Sequence, residues 1–142
     1  MKNNVVVFGG SGFLGSHVAD MLTKSGYNVT IFDVINSKYI NSDQKMVIGD
    51  INDKKLVENT ISKNSIVYHF AAMADIKEAK DKAVDAVKFN ILGTLIILEA
   101  CRKYKIKRFV FSSSVYVYSD HGSIYRCTKQ ACELFIKNYN IE

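Results

Sequence analysis

The stretch "NVVVFGGSGFLGSHVADMLTKSG", Asn4 to Gly26, decides the fold. Residues 4–9 form an apolar run of strand length. From Phe13 onward the apolar residues take helical spacing, with Phe13, Leu14, Val18, Met21 and Leu22 on one side and Gly26 as the stop. Gly9, Gly12 and Gly15 are spaced G-x-x-G-x-x-G across the join. Such a pattern carries little by itself, but between a strand and a helix each glycine has a task. Gly9 permits the tight turn, Gly12 lets the backbone come close to a pyrophosphate, and Gly15 lets the helix lie against the strand. Amides of the first helical turn, where Phe13 and Leu14 stand, then hold the phosphates.

Outward from this unit the pattern repeats. "NVTIFD" (28–33), "KMVIGD" (45–50), "SIVYHFAA" (65–72) and "KRFVFSSS" (107–114) read as strands, and residues 53–62, 85–104 and 124–139 as helices. Strand and helix in alternation imply a parallel sheet covered on both faces, which explains strands that are apolar almost throughout. The expected fold is therefore α/β, a Rossmann-type doubly wound parallel sheet of about five strands, in one domain over residues 1–142.

Composition agrees with one globular domain: 23% of the 142 residues are charged and 48% are hydrophobic. No apolar run approaches bilayer length and "MKNNVVVFGG" is too short for a signal peptide, so no membrane partner and a cytoplasmic location are expected. Cys101, Cys127 and Cys132 form no C-x-x-C pair and no metal-ligand cluster; no metal is expected. The net charge of +5 comes from lysines scattered among acids, with no basic stripe interleaved with aromatics, so no nucleic-acid partner is expected.

Asp33 ends the second strand, where a dinucleotide-binding unit places an acid on the adenosine ribose. A carboxylate there accepts bonds from the ribose hydroxyls and repels a 2′-phosphate, so the expected cofactor is NAD rather than NADP. Asp50 is placed to bond the adenine amino group, with Ile51 packing on the base. Phe70, Ala71 and Ala72 end the fourth strand, and two small side chains there let a cofactor pass close. His69 reads as a satisfied strand residue and Met73 as lining.

Tyr125 and Lys129 stand four apart on a predicted helix, hence on one face. A phenol titrating near pH 10 is a poor base at neutrality, and lowering it by about three units requires roughly 4 kcal/mol of phenolate stabilisation. A lysine ammonium and an oxidised nicotinamide both act in that direction. The serines ending the preceding strand lie at the same sheet edge. In an extended segment Ser112 and Ser114 share one face and Ser113 takes the other.

In this order, Gly9-Gly12-Gly15, Asp33, Asp50-Ile51, "HFAA", "FNILGT" (89–94), "KRFVFSSS" and "YRCTKQACE" (125–133) resemble the extended short-chain dehydrogenase/reductase family, particularly its NAD-dependent nucleotide-sugar epimerases and dehydratases. The resemblance implies Tyr125 as catalytic acid/base and Lys129 as the residue that bonds the nicotinamide ribose and lowers the tyrosine pKa. It makes Ser114 the catalytic serine if Val117-Tyr118 is the family's Val-Tyr pair, and Ser112 if Val115-Tyr116 is; Ser114 is preferred. Asn90 matches a helix asparagine placed with the cofactor site. The segment from Ser114 to Tyr125 is shorter than in most relatives, and relatives continue into a substrate-binding region beyond the last helix. The chain is thus expected to be the cofactor-binding part of a UDP-glucose 4-epimerase-like enzyme or a related dehydratase. Its substrate would be a nucleotide sugar, a UDP-sugar first among them, and the full-length form a homodimer. Val115-Tyr116 after Ser114, in place of acids, favours the epimerase. The alternative is a dinucleotide-binding module without turnover.

Overall fold

β1 (Asn4–Phe8) sits at the centre of the sheet because both its faces are apolar. The computed structural model of the chain describes residues 3–62 and 65–139; residues 1–2, 63–64 and 140–142 of the expected domain lie outside the described residues. Five parallel strands run in the order β3 (Gln44–Ile48), β2 (Asn28–Asp33), β1, β4 (Ile66–His69), β5 (Arg108–Phe111). Val7 pairs with Ile31 on one side and Tyr68 on the other. Alternate β1 side chains enter two cores: Val6 and Phe8 join Phe32, Val67, Ile97 and Cys101 on one face, while Val5 and Val7 join Val29, Ile31 and Ala19 on the other. This double burial is why the strands read as continuous apolar runs.

The helices cover the two faces. α1 (Phe13–Lys24) lies over the second core, while α2 (Lys54–Thr60) and α5 (Gly93–Tyr104) contribute to the first. The buried face of α1 differs from the expected one. Phe13, Leu14 and Met21 are exposed, and the buried residues are Gly15, Ser16 and Ala19. The physical reason is close approach: a Cβ on Gly15 would stand 2.2 Å from Gly9 O, so only small side chains fit at the start of the helix, while Leu22 further along packs against the second core as expected.

Several strands end sooner than the apolar runs suggest. β4 stops at His69 and β5 at Phe111, so Phe70–Ala72 and Ser112–Ser114 form the sheet's rim. Two helical pieces were not expected. α3 (Ile76–Asp81) is short and charged, buries only Ala79, and starts at Asp75, whose Oδ1 accepts from the amide of Glu78 at 2.8 Å. A 3₁₀ turn spans Val115–Tyr118, with Ser114 as its cap. The long helix expected from residue 85 begins as α4 (Ala83–Ala86) and winds wider, as a π-type segment, over Val87–Leu92 before α5. α6 (Ser123–Tyr139) returns beside it.

Candidate functional site

At the carboxyl end of the sheet the turn after β1 makes one wall of a cleft. Gly9 has φ +76, a left-handed conformation that favours glycine, and a Cβ there would stand 2.4 Å from Ala71 N. Gly12 is different. Its φ is −76, and the nearest atom to an added Cβ is Gly9 O at 3.4 Å, so the protein's own packing leaves a side chain room there. α1 starts at Gly12 with no side-chain cap and no acid in its first turn, which leaves its positive end uncompensated.

The cleft has a volume of about 580 Å³. Gly9, Gly12, Phe13, Leu14, Gly15, Asp33, Asp50, Ile51, Phe70, Ala71, Ala72, Met73, Ser112, Tyr125 and Lys129 all line it. Asp33 closes β2; its Oδ2 accepts from the amide of Ser11 at 3.0 Å and its Oδ1 from that of Ile35 at 3.3 Å. The Ser11 hydroxyl donates to Ile35 O at 2.8 Å, so the glycine turn and the loop after β2 are tied together. Asp50 Oδ1 accepts from the amide of Asn52 at 2.8 Å. Ile51 is buried, and Gly93 makes room for it, since a Cβ on Gly93 would meet Ile51 Cδ1 at 2.4 Å.

Across the cleft stand the residues of α6. Lys129 is almost wholly buried; its Nζ donates to Ser112 O at 2.8 Å and lies 4.6 Å from the Phe111 ring centroid. Burial pulls its pKa down to about 8. The same Nζ is 5.7 Å from the centroid of the Tyr125 ring. Burial raises the Tyr125 pKa above that of a free phenol, and hydrogen bonding with Ser114 opposes it. The direction is opposite to the lowering expected from the lysine, and burial is its largest cause.

Ser112 lines the cleft, while Ser113 donates to Glu133 Oε1 at 2.5 Å. Ser114 itself does not line the cleft; its hydroxyl accepts from the amide of Tyr116 at 3.3 Å. Asn90 also departs from the expected place. It is buried away from the cleft, with Oδ1 accepting from Met73 N at 2.7 Å and Nδ2 donating to Met73 O at 3.2 Å and Thr128 Oγ1 at 3.0 Å. Its amide is spent holding the cleft's rim against α6. His69 is buried, with Nε2 paired to Thr94 Oγ1 at 2.8 Å and Nδ1 without a partner among the described residues. Burial, with the nearby Lys129 charge, lowers its pKa to about 3.

Sequence reasoning missed Glu78 and Phe89, which line the same cleft. The signal for Glu78 was present: Asp75-x-x-Glu78 is a helix-start pattern, and it places Glu78 in the first turn of α3.

The model of the NAD dependent epimerase/dehydratase family matches residues 5–140. The chain belongs to this family. Its members are enzymes. It is 37% identical to a putative UDP-glucose 4-epimerase of Methanocaldococcus jannaschii, over 96% of this chain and 50% of that protein. A UDP-glucose 4-epimerase from Thermotoga maritima, solved with UDP-glucose, matches 98% of the chain at TM-score 0.89 and 29% identity, over 52% of its own length. One from Brucella ovis, solved in complex with NAD, matches 98% at TM-score 0.86 and 29% identity, over 48% of its length. The chain thus spans about half the length of the epimerase-family proteins that it matches.

Proposed function

We propose that the chain is the NAD-binding part of a nucleotide-sugar 4-epimerase acting on a UDP-sugar. The observation that carries the reading is the single cleft in which Gly12, Asp33 and Asp50 meet Tyr125, Lys129 and Ser112. The residues fit a dinucleotide. Gly12 lacks a side chain where packing alone would tolerate one, the uncapped start of α1 lines the cleft where it can take an anion, and Asp33 offers acceptors to a ribose. Bound NAD supplies a hydride acceptor that can return the hydride, and its oxidised ring adds a positive charge.

The chain's own residues then divide the work. Tyr125 takes the proton of a sugar hydroxyl and later gives it back. Ser114 steadies the sugar oxygen against the phenol. Lys129 bonds the nicotinamide ribose; with the nearby positive charge it favours the phenolate, which burial alone disfavours. A dehydratase needs a further acid beside the serine. The turn Val115–Tyr118 carries none, and Asp120 beyond it is exposed and paired with Arg126 at 3.3 Å. That supports the epimerase. A homodimeric full-length form and a cytoplasmic location belong to the same proposal; no helix among the described residues is long and apolar enough to cross a membrane.

The test measures NAD binding by titration calorimetry and the interconversion of UDP-glucose and UDP-galactose, on this chain and on its longest natural form. Tyr125→Phe is expected to lower turnover by about 10²–10⁴ while NAD affinity stays within roughly threefold. NAD binding without turnover in the longest form would instead establish a binding module. Loss of turnover and NAD binding together in Tyr125→Phe would make Tyr125 a structural residue.

A further inference from the structure

α6 grips the segment leaving β5 at consecutive residues. Lys129 Nζ donates to Ser112 O at 2.8 Å, and one turn later Glu133 Oε1 accepts from the Ser113 hydroxyl at 2.5 Å. Further along, Gln130 Nε2 donates to Val117 O at 2.9 Å and Arg126 Nη1 to Ser119 O at 2.5 Å. Ser112 is held by its backbone and Ser113 by its side chain. Two neighbouring residues anchored to one helix fix the segment's rotation about its own axis as well as its position, because successive side chains of an extended chain point opposite ways. Ser114 comes next, in extended conformation. Whatever holds Ser113 outward on Glu133 therefore turns Ser114 to the face on which Ser112 lines the cleft with Tyr125.

We infer that Glu133 is a positioning residue, which holds Ser113 so that Ser114 meets the Tyr125 phenol. The inference rests on the reading of Tyr125 and Ser114 as the reacting pair. Glu133 touches neither the cleft nor the phenol and acts through the serine run alone. Its amide analogue keeps an acceptor oxygen at the same place. The Ser113 hydroxyl is only half-buried and can turn to water when the carboxylate is removed, so the fold does not depend on the bond.

The experiment compares Glu133→Ala, Glu133→Gln and Ser113→Ala in the longest natural form of the protein. For UDP-glucose/UDP-galactose interconversion, Glu133→Ala and Ser113→Ala are expected to lower kcat by about ten- to a hundredfold. NAD affinity and Tm should stay near those of the parent. The rise of kcat with pH should move to higher pH, because a displaced Ser114 no longer favours the phenolate. Glu133→Gln should stay within about threefold of the parent, and the Ser113→Ala/Glu133→Ala pair should be no worse than either single change. Parental kcat and pH profile in Glu133→Ala would overturn the inference. So would a proportional fall of Tm and NAD affinity, or a Glu133→Gln variant as impaired as Glu133→Ala. If the parent shows no interconversion, the epimerase reading fails and the Tyr125 titration decides this inference without substrate. It is read as the ultraviolet difference between each variant and its Tyr125→Phe counterpart; a rise in Glu133→Ala supports the inference and an unchanged titration overturns it.

Discussion

Replacing Gly12 and Gly15 by alanine, one at a time, separates the glycine that serves a ligand from the one that serves the fold. At Gly15 the new Cβ would stand 2.2 Å from Gly9 O and 2.8 Å from Gly10 Cα. These are backbone atoms, so α1 must move away from β1 by about 1 Å, loosening the contact made by Gly15, Ser16 and Ala19. Overpacking of this kind costs about 3 kcal/mol, or roughly 10 °C in Tm for a chain this size. At Gly12 the Cβ meets only Gly9 O, at 3.4 Å, and φ −76 suits alanine. The loss of a good cap costs about 1 kcal/mol and the stiffer unfolded chain returns roughly 0.4–1 kcal/mol, so stability stays close to the parent's. That methyl group stands in the cleft, where the diphosphate is proposed to lie, and NAD affinity should fall on the order of tenfold to a hundredfold. Thermal unfolding followed by circular dichroism and NAD titration calorimetry read the two effects. A Gly15→Ala chain with the parent's Tm, or a Gly12→Ala chain with the parent's NAD affinity, would refute the reasoning.

Lys129 gives a pH signature. Its folded pKa, about 8, lies below the 10.5 of a free lysine, so from pH 8 to 10.5 the unfolded chain holds more protons and this residue's contribution to stability rises with pH. The stability advantage of Lys129→Met over the parent should therefore shrink by about 2 kcal/mol between pH 7 and 9.5, measured by urea unfolding; a constant difference would contradict the burial argument. Asp33→Ser should narrow the preference for NAD over NADP in binding titrations, by removing the charge that repels a 2′-phosphate, and an unchanged ratio would count against Asp33 as the ribose acceptor. Among the thiols, Cys127 is exposed whereas Cys101 and Cys132 are buried, and burial raises the Cys101 pKa to about 12. A thiol reagent on the native chain should modify one cysteine quickly and the other two only on unfolding.

The readings of the sequence that transferred to the structure were those with local causes. The apolar run at residues 4–9 became β1, buried on both faces, and the glycines after it mark a tight, close-packed join with α1. Where the sequence misled, a partner distant in the chain was responsible. Apolar period chose Phe13, Leu14 and Met21 as the inner face of α1, but the backbone of Gly9 and Gly10 admits only small side chains there. The charged α3 escaped notice because it has almost no apolar stripe; only its start at Asp75 was legible.

The sequence alone determined the alternation of strands and helices and the parallel sheet that follows from it, because periodicity and turn chemistry act within a few residues; that Gly12, Asp33, Tyr125 and Lys129 line one cleft was decided by the fold. Tertiary structure alone decided how that site is set. Ser113 goes to Glu133 and the Lys129 ammonium to the Ser112 carbonyl. Asn90 is drawn behind Met73 rather than to the cleft. Each of these directions depends on which donor or acceptor the folded chain brings opposite, 17 to 20 residues away in sequence, and on how much water it excludes there.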